Sequence, residues 1–253
     1  MSTISVVIPC RNDAVMLGAC LQALSVQTRV PDEILVVDNA STDATAQLCR
    51  RAGVRRICEP DVGVAAATFR GLDEARGEWL ARLDADSVPP PQWLEDLEAA
   101  LLDAGEDAAV SGPGDFYGAS PVIRWIAKNL YIGGYRWSMQ ALLGHPPLFG
   151  SNYGLHRSLW ERLRPDVHRG LPRVHDDLDL SYQFRPGMDV RWNRQLRVGV
   201  SARPFATWGA VGRRVMKAYV TFRVDFAQEP PLRRRWDRLV FTPSTRRGAA
   251  GRG

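Results

Sequence analysis

Residues 79 to 88 read WLARLDADSV. An apolar run ends in two carboxylates, Asp84 and Asp86, separated by one alanine. Carboxylates this close repel, and a metal ion is the obvious partner to reconcile them. In an extended strand, side chains at i and i+2 project to one side, so the pair can converge on one ion. The competing reading is a helix start, with Asp86 or Ser87 capping the segment that follows. The rest of the chain decides between the two.

Working outward, the first 112 residues alternate between two patterns. ISVVIP (4–9), EILVVDN (33–39), RRICEP (55–60), EWLARLDAD (78–86) and AAVSG (108–112) read as short buried strands. Between them, 14–27, 38–53, 62–77 and 89–105 carry helical signals. Ser41 or Thr42 is the expected cap of the second helix, Gly53 its end, and Gly77 the end of the third. This alternation predicts parallel βαβ units with right-handed crossovers. Such sheets bind ligands beyond the carboxyl ends of their strands. Arg11 to Asp13, Asp38 with Asn39, and Asp84 to Asp86 all fall at such ends. Beyond Gly112 the pattern is less regular. Helical regions are predicted over 120–145, from HDDLDLSYQF (175–184) and over 207–227, with a strand in LFGSNYGLHR (148–157). The last twelve residues, TPSTRRGAAGRG, read as disordered.

Composition narrows the classes. The chain has 253 residues, 45% hydrophobic and 24% charged, enough for one sizeable core. No apolar stretch approaches the roughly 18 residues that span a bilayer. MSTISVVIPCRND lacks the marks of a signal peptide, and Cys10, Cys20, Cys49 and Cys58 have no metal-ligand spacing. Burial as free thiols in a cytoplasmic protein is the expectation. The net charge of +5 is a tail property: residues 232–253 hold seven arginines and one aspartate, leaving −1 on the remainder. Nucleic acid is not an expected partner, because neither a recognised binding fold nor an aromatic platform accompanies the tail. The turn after the first strand, PCRNDAV, has no glycine, and there is no P-loop, so backbone amides do not cradle phosphates there. Carboxylates holding Mg²⁺ or Mn²⁺ are the other common way to neutralise a diphosphate.

Read in order, VVIPCRND, EILVVDNASTD, GVAAATFRGLDEARGEWLARLDADS and HDDLDL resemble the family 2 glycosyltransferases. The likeness is close over residues 3 to 110 and looser over 148 to 185. It implies an α/β GT-A fold, a Rossmann-like, mostly parallel sheet flanked by helices, with a C-terminal helical extension. It also implies inverting sugar transfer from a nucleotide-diphospho-sugar. On this likeness 1–112 is the nucleotide-sugar-binding half, and 113–206 carries the acceptor site and catalytic base. Residues 207–253 form a helix and basic tail.

The resemblance assigns roles residue by residue. Pro9, Arg11 and Asp13 lie where the family contacts base and ribose. Asp38 matches the residue that accepts the N–H of the base, commonly uracil, as an ionised carboxylate can. Asp84 faces ribose or metal, and Asp86 binds Mn²⁺ or Mg²⁺. Asp177 matches the base that deprotonates the acceptor hydroxyl, with Asp176 beside it. The alternative for that pair is a favourable charge at a helix N-terminus. Gly150, Ser151 and Asn152 match a sugar- or acceptor-side strand. His175 is either an added metal ligand or, as expected, a capping or solvent-facing residue. One departure stands out: the family usually has arginine at the position of Thr68, in ATFRG. UDP is the default nucleotide, with GDP and dTDP as alternatives, and the expected acceptor is a glycan or lipid-linked sugar of the cell envelope.

Aromatic and basic residues in 120–145 (Arg124, Trp125, Lys128, Tyr131, Tyr135, Arg136, Trp137), together with the arginine-rich tail, fit peripheral contact with an anionic membrane. They fit a helix covering the sheet equally. Two rival functions remain. One is a non-catalytic nucleotide-sugar-binding homologue, which the Thr68 departure favours. The other is a haloacid-dehalogenase-like phosphatase using Asp84 and Asp86, whose signature belongs on a first strand and needs a downstream lysine.

Overall fold

The computed structural model describes residues 2–118, 120, 133–171, 173–203 and 208–241. The first strands are β1 (Ile4–Cys10), β2 (Glu33–Asp38), β3 (Arg55–Cys58), β4 (Trp79–Arg82) and β5 (Ala108–Ser111). Helices α1 (Ala14–Ser25), α2 (Thr45–Ala52), α3 (Val64–Glu74) and α4 (Trp93–Ala104) connect them. There follow β6 (Gly114–Tyr117), α5 (Gly133–Leu143), β7 (Tyr153–His156), α6 (Arg157–Leu163) and α7 (Asp176–Tyr182). The chain closes with β8 (Asp189–Trp192), β9 (Val198–Ser201), α8 (Trp208–Gln228) and α9 (Pro231–Val240).

The main sheet runs β3-β2-β1-β4-β7-β5-β8. β1 to β4 pair in parallel, as the alternation predicts. β7 lies antiparallel between β4 and β5, so the β4-α4-β5 crossover skips one place in the sheet. Both faces are covered, which is why the strands read as continuous apolar runs. Ile4, Val6 and Ile8 pack one way, against α1 and α4. Val7, Leu35 and Val37 pack the other way, against α3, α6 and α7. β6 and β9 form a separate parallel pair beside the sheet edge.

Some boundaries differ from those read in sequence. α2 begins after Ala44, and Asp43, not Ser41 or Thr42, serves its first turn: Oδ1 accepts from Thr45 N at 3.0 Å. Gly53 ends α2 at φ +66, as expected. α3 stops at Glu74, where Ala75 N donates to Gly71 O. Gly77 is required for a different reason: a Cβ there would sit 2.6 Å from the backbone nitrogen of Ser5 in β1. β4 ends at Arg82, and Asp84–Ser87 form a turn closed by Ser87 N to Asp84 O at 3.0 Å. The two aspartates therefore do not project from an extended strand. All four cysteines are free, with Cys10, Cys20 and Cys49 buried. The expected helix over 120–145 is seen from Gly133. Residues 121–132, with Arg124, Trp125, Lys128 and Tyr131, and the tail 242–253 lie outside the described residues.

The C-terminal helices are held by a polar knot. His168 Nδ1 lies 2.7 Å from Asp179 Oδ1 and 3.5 Å from Asp225 Oδ1, and both aspartates are fully buried. Burial first, then the charge of Asp179, push Asp225 up to about 9, while the hydrogen bond to Asp179 raises His168. Unfolded Asp and His titrate near about 3.9 and 6.5. Both groups thus hold protons more tightly in the folded state. The stability they confer is full below the unfolded values and drains as pH rises through the folded ones. The melting temperature is expected to fall from about pH 4 to about pH 9, most steeply once His168 also loses its proton. Asp225→Asn keeps a hydrogen-bond donor but has nothing to ionise, so it should flatten that fall. An equally steep decline in the variant would remove this knot as its source.

Candidate active site

β1, β2 and β4 are parallel, so their carboxyl ends open on one edge. Asp13 follows β1, Asp38 ends β2, and Asp84 and Asp86 follow β4. β7 runs the opposite way, so the loop before it, Gly150 to Asn152, arrives at the same edge. The chain moves outward from β1 through β2 to β3, then returns to β4 on the other side. The crevice between β1 and β4 is thus a switch point of the topology, where open α/β sheets take ligands.

Arg82 is the hub. Its side chain lies on the α3/α7 side of β4 and is 1% exposed. Nη1 reaches Asp84 Oδ1 at 2.6 Å and Nη2 reaches Asp176 Oδ2 at 3.0 Å. Nη1 also donates to the carbonyl of Gly150. Burial works against the guanidinium charge, yet Asp84 and Asp176 hold it firmly protonated. Gly150 leaves room for two side chains to close on the loop. A Cβ there would sit 3.1 Å from both Arg82 Nη1 and Asp177 Oδ2. Thr68, at the position where the family usually has arginine, donates from Oγ1 to Asp176 Oδ2 at 2.7 Å. The guanidinium beside that carboxylate comes from β4.

Asp176 and Asp177 open α7, in the favourable field of its N-terminus. Their surroundings drive them apart. Burial would raise Asp176, but Arg82 and the Thr68 hydrogen bond outweigh it and bring it down. Burial, then the charge of Asp176, push Asp177 up. Asp177 is also the more accessible, its side chain 17% exposed against 5% for Asp176. Its Oδ2 accepts from Gly150 N at 2.9 Å and its Oδ1 from Leu178 N at 2.8 Å. His175 stands at the N-cap, with Nδ1 3.7 Å from Asp177 Oδ1.

Across the crevice, Arg203 donates to Asp13 Oδ1 at 3.0 Å and to Asp86 Oδ2 at 3.2 Å. The Tyr117 hydroxyl donates to the Asp86 carbonyl at 2.6 Å. Both residues are delivered by the β6–β9 pair, which a bridge between Val88 and Gly199 ties to the segment after Asp86. Burial first, then Asp84, push the Asp86 carboxyl up to about 6. At the far end of the edge, Asp38 accepts from Ser41 N at 2.9 Å and pairs with Arg56 at 2.6 Å.

The structure thus brings Asp13, Asp38, Asp84, Asp86, Gly150, Ser151, Asp176 and Asp177 to one edge. Ser151 Oγ donates to Asp84 Oδ2. Pro9 is buried within β1, and Arg11 is exposed beside the loop. Asn152 turns inward: it is fully buried, accepts from Trp93 Nε1 at 2.9 Å and donates to Leu196 O at 2.7 Å. Its side chain holds the loop rather than lining the edge. Arg82 and Arg203 were missed in the sequence. A charge inside the buried strand WLARL could have flagged Arg82, whereas Arg203 lies 117 residues from Asp86 with no local signal.

The donors fit a hard divalent cation. Asp84 and Asp86 offer only oxygen, and two side-chain carboxylates leave sites for diphosphate oxygens and water. Burial and Asp84 push Asp86 up against the pull of Arg203, so a further cation there would be favoured.

Removing the hub charge strands buried carboxylates. Arg82→Met is expected to destabilise the fold by about 3–5 kcal/mol in chemical denaturation. Adding Asp176→Asn should recover much of that loss, because the uncompensated charge goes with it. No recovery would mean that Arg82 acts by packing alone.

The model of glycosyl transferase family 2 matches residues 5–163 of this chain. Glycosyltransferase AglE of Haloferax volcanii is 35% identical over 112 residues, covering 41% of this chain and 37% of that protein. A PGL/p-HBAD biosynthesis glycosyltransferase of Mycobacterium bovis is 40% identical over 88 residues, 32% of this chain and 34% of that one. The chain spans about a third of the length of these curated relatives. Glucosyl-3-phosphoglycerate synthase from Mycobacterium tuberculosis, solved with Mn²⁺, uridine diphosphate and phosphoglyceric acid, shares the fold. Its TM-score is 0.62 at 21% identity, over 88% of this chain and 78% of that one. The same enzyme with Mg²⁺ and uridine diphosphate gives 0.63 at 23% identity, over 88% and 79%. The strand order, the carboxylates at its switch point and a family match over more than half its length agree: the chain belongs to glycosyl transferase family 2.

Proposed function

We propose that this chain is an inverting, metal-dependent glycosyltransferase that moves a sugar from a nucleotide-diphospho-sugar to an acceptor hydroxyl. The observation that carries the reading is the division of labour on one edge. Asp86 lies at the β1/β4 crevice, and an accessible carboxylate of raised pKa, Asp177, stands beyond Arg82. In this reading Asp38 accepts from the base, with Pro9, Arg11 and Asp13 around base and ribose. Asp84 faces the ribose, and Asp86 with Asp84 would hold Mn²⁺ or Mg²⁺. The bound ion supplies charge stabilisation for the departing diphosphate. Asp177 takes the acceptor proton as that oxygen attacks the anomeric carbon from the face opposite the diphosphate, so configuration inverts. Asp176, locked by Arg82 and Thr68, holds Asp177 in place.

The donor is proposed to be a UDP-sugar, in line with the uridine diphosphate bound by the mycobacterial synthase of the same fold. GDP- and dTDP-sugars are the alternatives. The proposed acceptor is a glycan or lipid-linked sugar of the cell envelope, reached at the cytoplasmic face of an anionic membrane. Residues 1–112 would serve the donor and 113–206 the acceptor and base. Family membership and the place of the aspartate pair after β4, rather than β1, speak against phosphatase chemistry.

The test is thermal stability with a panel of nucleoside diphosphates and their sugars, with and without Mn²⁺, beside Asp86→Ala. A ligand bound by the native state raises the melting temperature by mass action. One nucleotide is expected to give an Mn²⁺-dependent shift that Asp86→Ala abolishes. No shift with any nucleotide in a folded protein would overturn the reading.

A further inference from the structure

α9 is built inside out. Its buried side carries charge: Arg234 is 1% exposed, and its guanidinium stacks 4.3 Å over the ring of Tyr182. One turn on, Arg238 donates to Phe184 O at 2.9 Å and Met188 O at 3.2 Å. The outer side is apolar. Leu232, Trp236, Leu239 and Val240 are 83%, 64%, 74% and 54% exposed. They stand at i, i+4, i+7 and i+8, which is a single helical stripe. Arg233 and Arg235 fall on its two margins, about 100° of helix rotation from Leu232 on one side and about 60° on the other. Both are exposed, and Arg235 reaches across to the carbonyl of Ala141 in α5. On that helix Trp137, four residues before Ala141, is 73% exposed.

A soluble helix normally faces its apolar stripe inward and its arginines out. Here the arginines satisfy carbonyls of the loop after α7, and the stripe is left for something else to cover. We infer that the outer face of α9, with Trp137 beside it, is a docking surface for an anionic lipid bilayer. An apolar stripe with an interfacial tryptophan and flanking arginines matches the headgroup boundary, where cationic side chains reach lipid phosphates. The local charge selects lipid over a second copy of the chain. Arg233 and Arg235, exposed at the margins of the stripe, would face their own copies and repel in a symmetric pair, and would attract an anionic leaflet. Among the described residues no helix is long and apolar enough to cross a membrane, so this contact would lie on the surface. The inference deepens the membrane part of the proposed function and does not depend on transfer chemistry.

The test uses the full chain in flotation with vesicles of phosphatidylcholine, with and without about 30% phosphatidylglycerol. Binding is expected only to the anionic vesicles and to weaken with salt. The triple variant Leu232→Ser, Trp236→Ser, Leu239→Ser changes exposed side chains only, so it should keep its melting temperature while its partitioning falls about tenfold or more. Arg233→Gln with Arg235→Gln should weaken binding with the stripe intact. No flotation with anionic vesicles would overturn the inference. So would unchanged binding in the triple variant, or a concentration-dependent dimer in light scattering that the triple variant abolishes. Nucleotide-dependent stabilisation that survives in the triple variant would separate this surface from the donor site.

Discussion

One buried guanidinium organises this molecule. Arg82 sits in the core side of β4 and joins Asp84, the Gly150 carbonyl and Asp176. A charge in so dry a place persists only with partners that offset its desolvation. Those partners come from the turn after β4, the loop before β7 and the start of α7. The ion pairs fix the spacing between two acidic clusters that lie 92 residues apart in sequence, at 84 and 176. Arg82 and Asp177 close on Gly150, where a Cβ would be a tight fit. The splitting of Asp176 from Asp177 has the same source, since the carboxylate beside Arg82 is held down and its neighbour is pushed up.

The first 112 residues were legible because their signals are local. Apolar strands β1 to β5 and the helices between them follow from short-range periodicity, and the parallel pairing of β1 to β4 follows from their alternation. The insertion of β7 was not legible, since an antiparallel strand from residue 153 reaching between β4 and β5 is a long-range pairing. The i, i+2 spacing of Asp84 and Asp86 predicts one side of an extended strand, and the structure departs from that geometry. They occupy a turn and face different partners, Asp84 toward Arg82 and Ser151, Asp86 toward Arg203. The absent arginine at Thr68 looked like a gap in the site, and Arg82, fourteen positions on, stands where the carboxylate needs it. Asn152 was read as a pocket residue because its motif is known for the acceptor side, yet its hydrogen bonds all turn inward.

The arginines divide into two populations that composition cannot separate. Arg82 and Arg234, buried, and Arg238, half-buried, are structural charges set against carboxylates and carbonyls. Arg233 and Arg235 stay outside, beside an apolar stripe. Net charge therefore says little about the partner, whereas the placement of each guanidinium says a good deal. The same holds for carboxylates. Asp179 and Asp225 knot α7 to α8, while Asp177, equally acidic in sequence, keeps some exposure at the edge.

In the proposed reaction the two acidic clusters perform separate tasks, donor binding and proton removal. The most direct measurement is donor affinity and single-turnover transfer in Asp177→Asn beside the native protein, with Mn²⁺ and the nucleotide-sugar that stabilises it. The account predicts unchanged affinity and a rate lower by about 10²–10⁴-fold, the usual contribution of a positioned base. Lost affinity, or a rate equal to the native one, would contradict it.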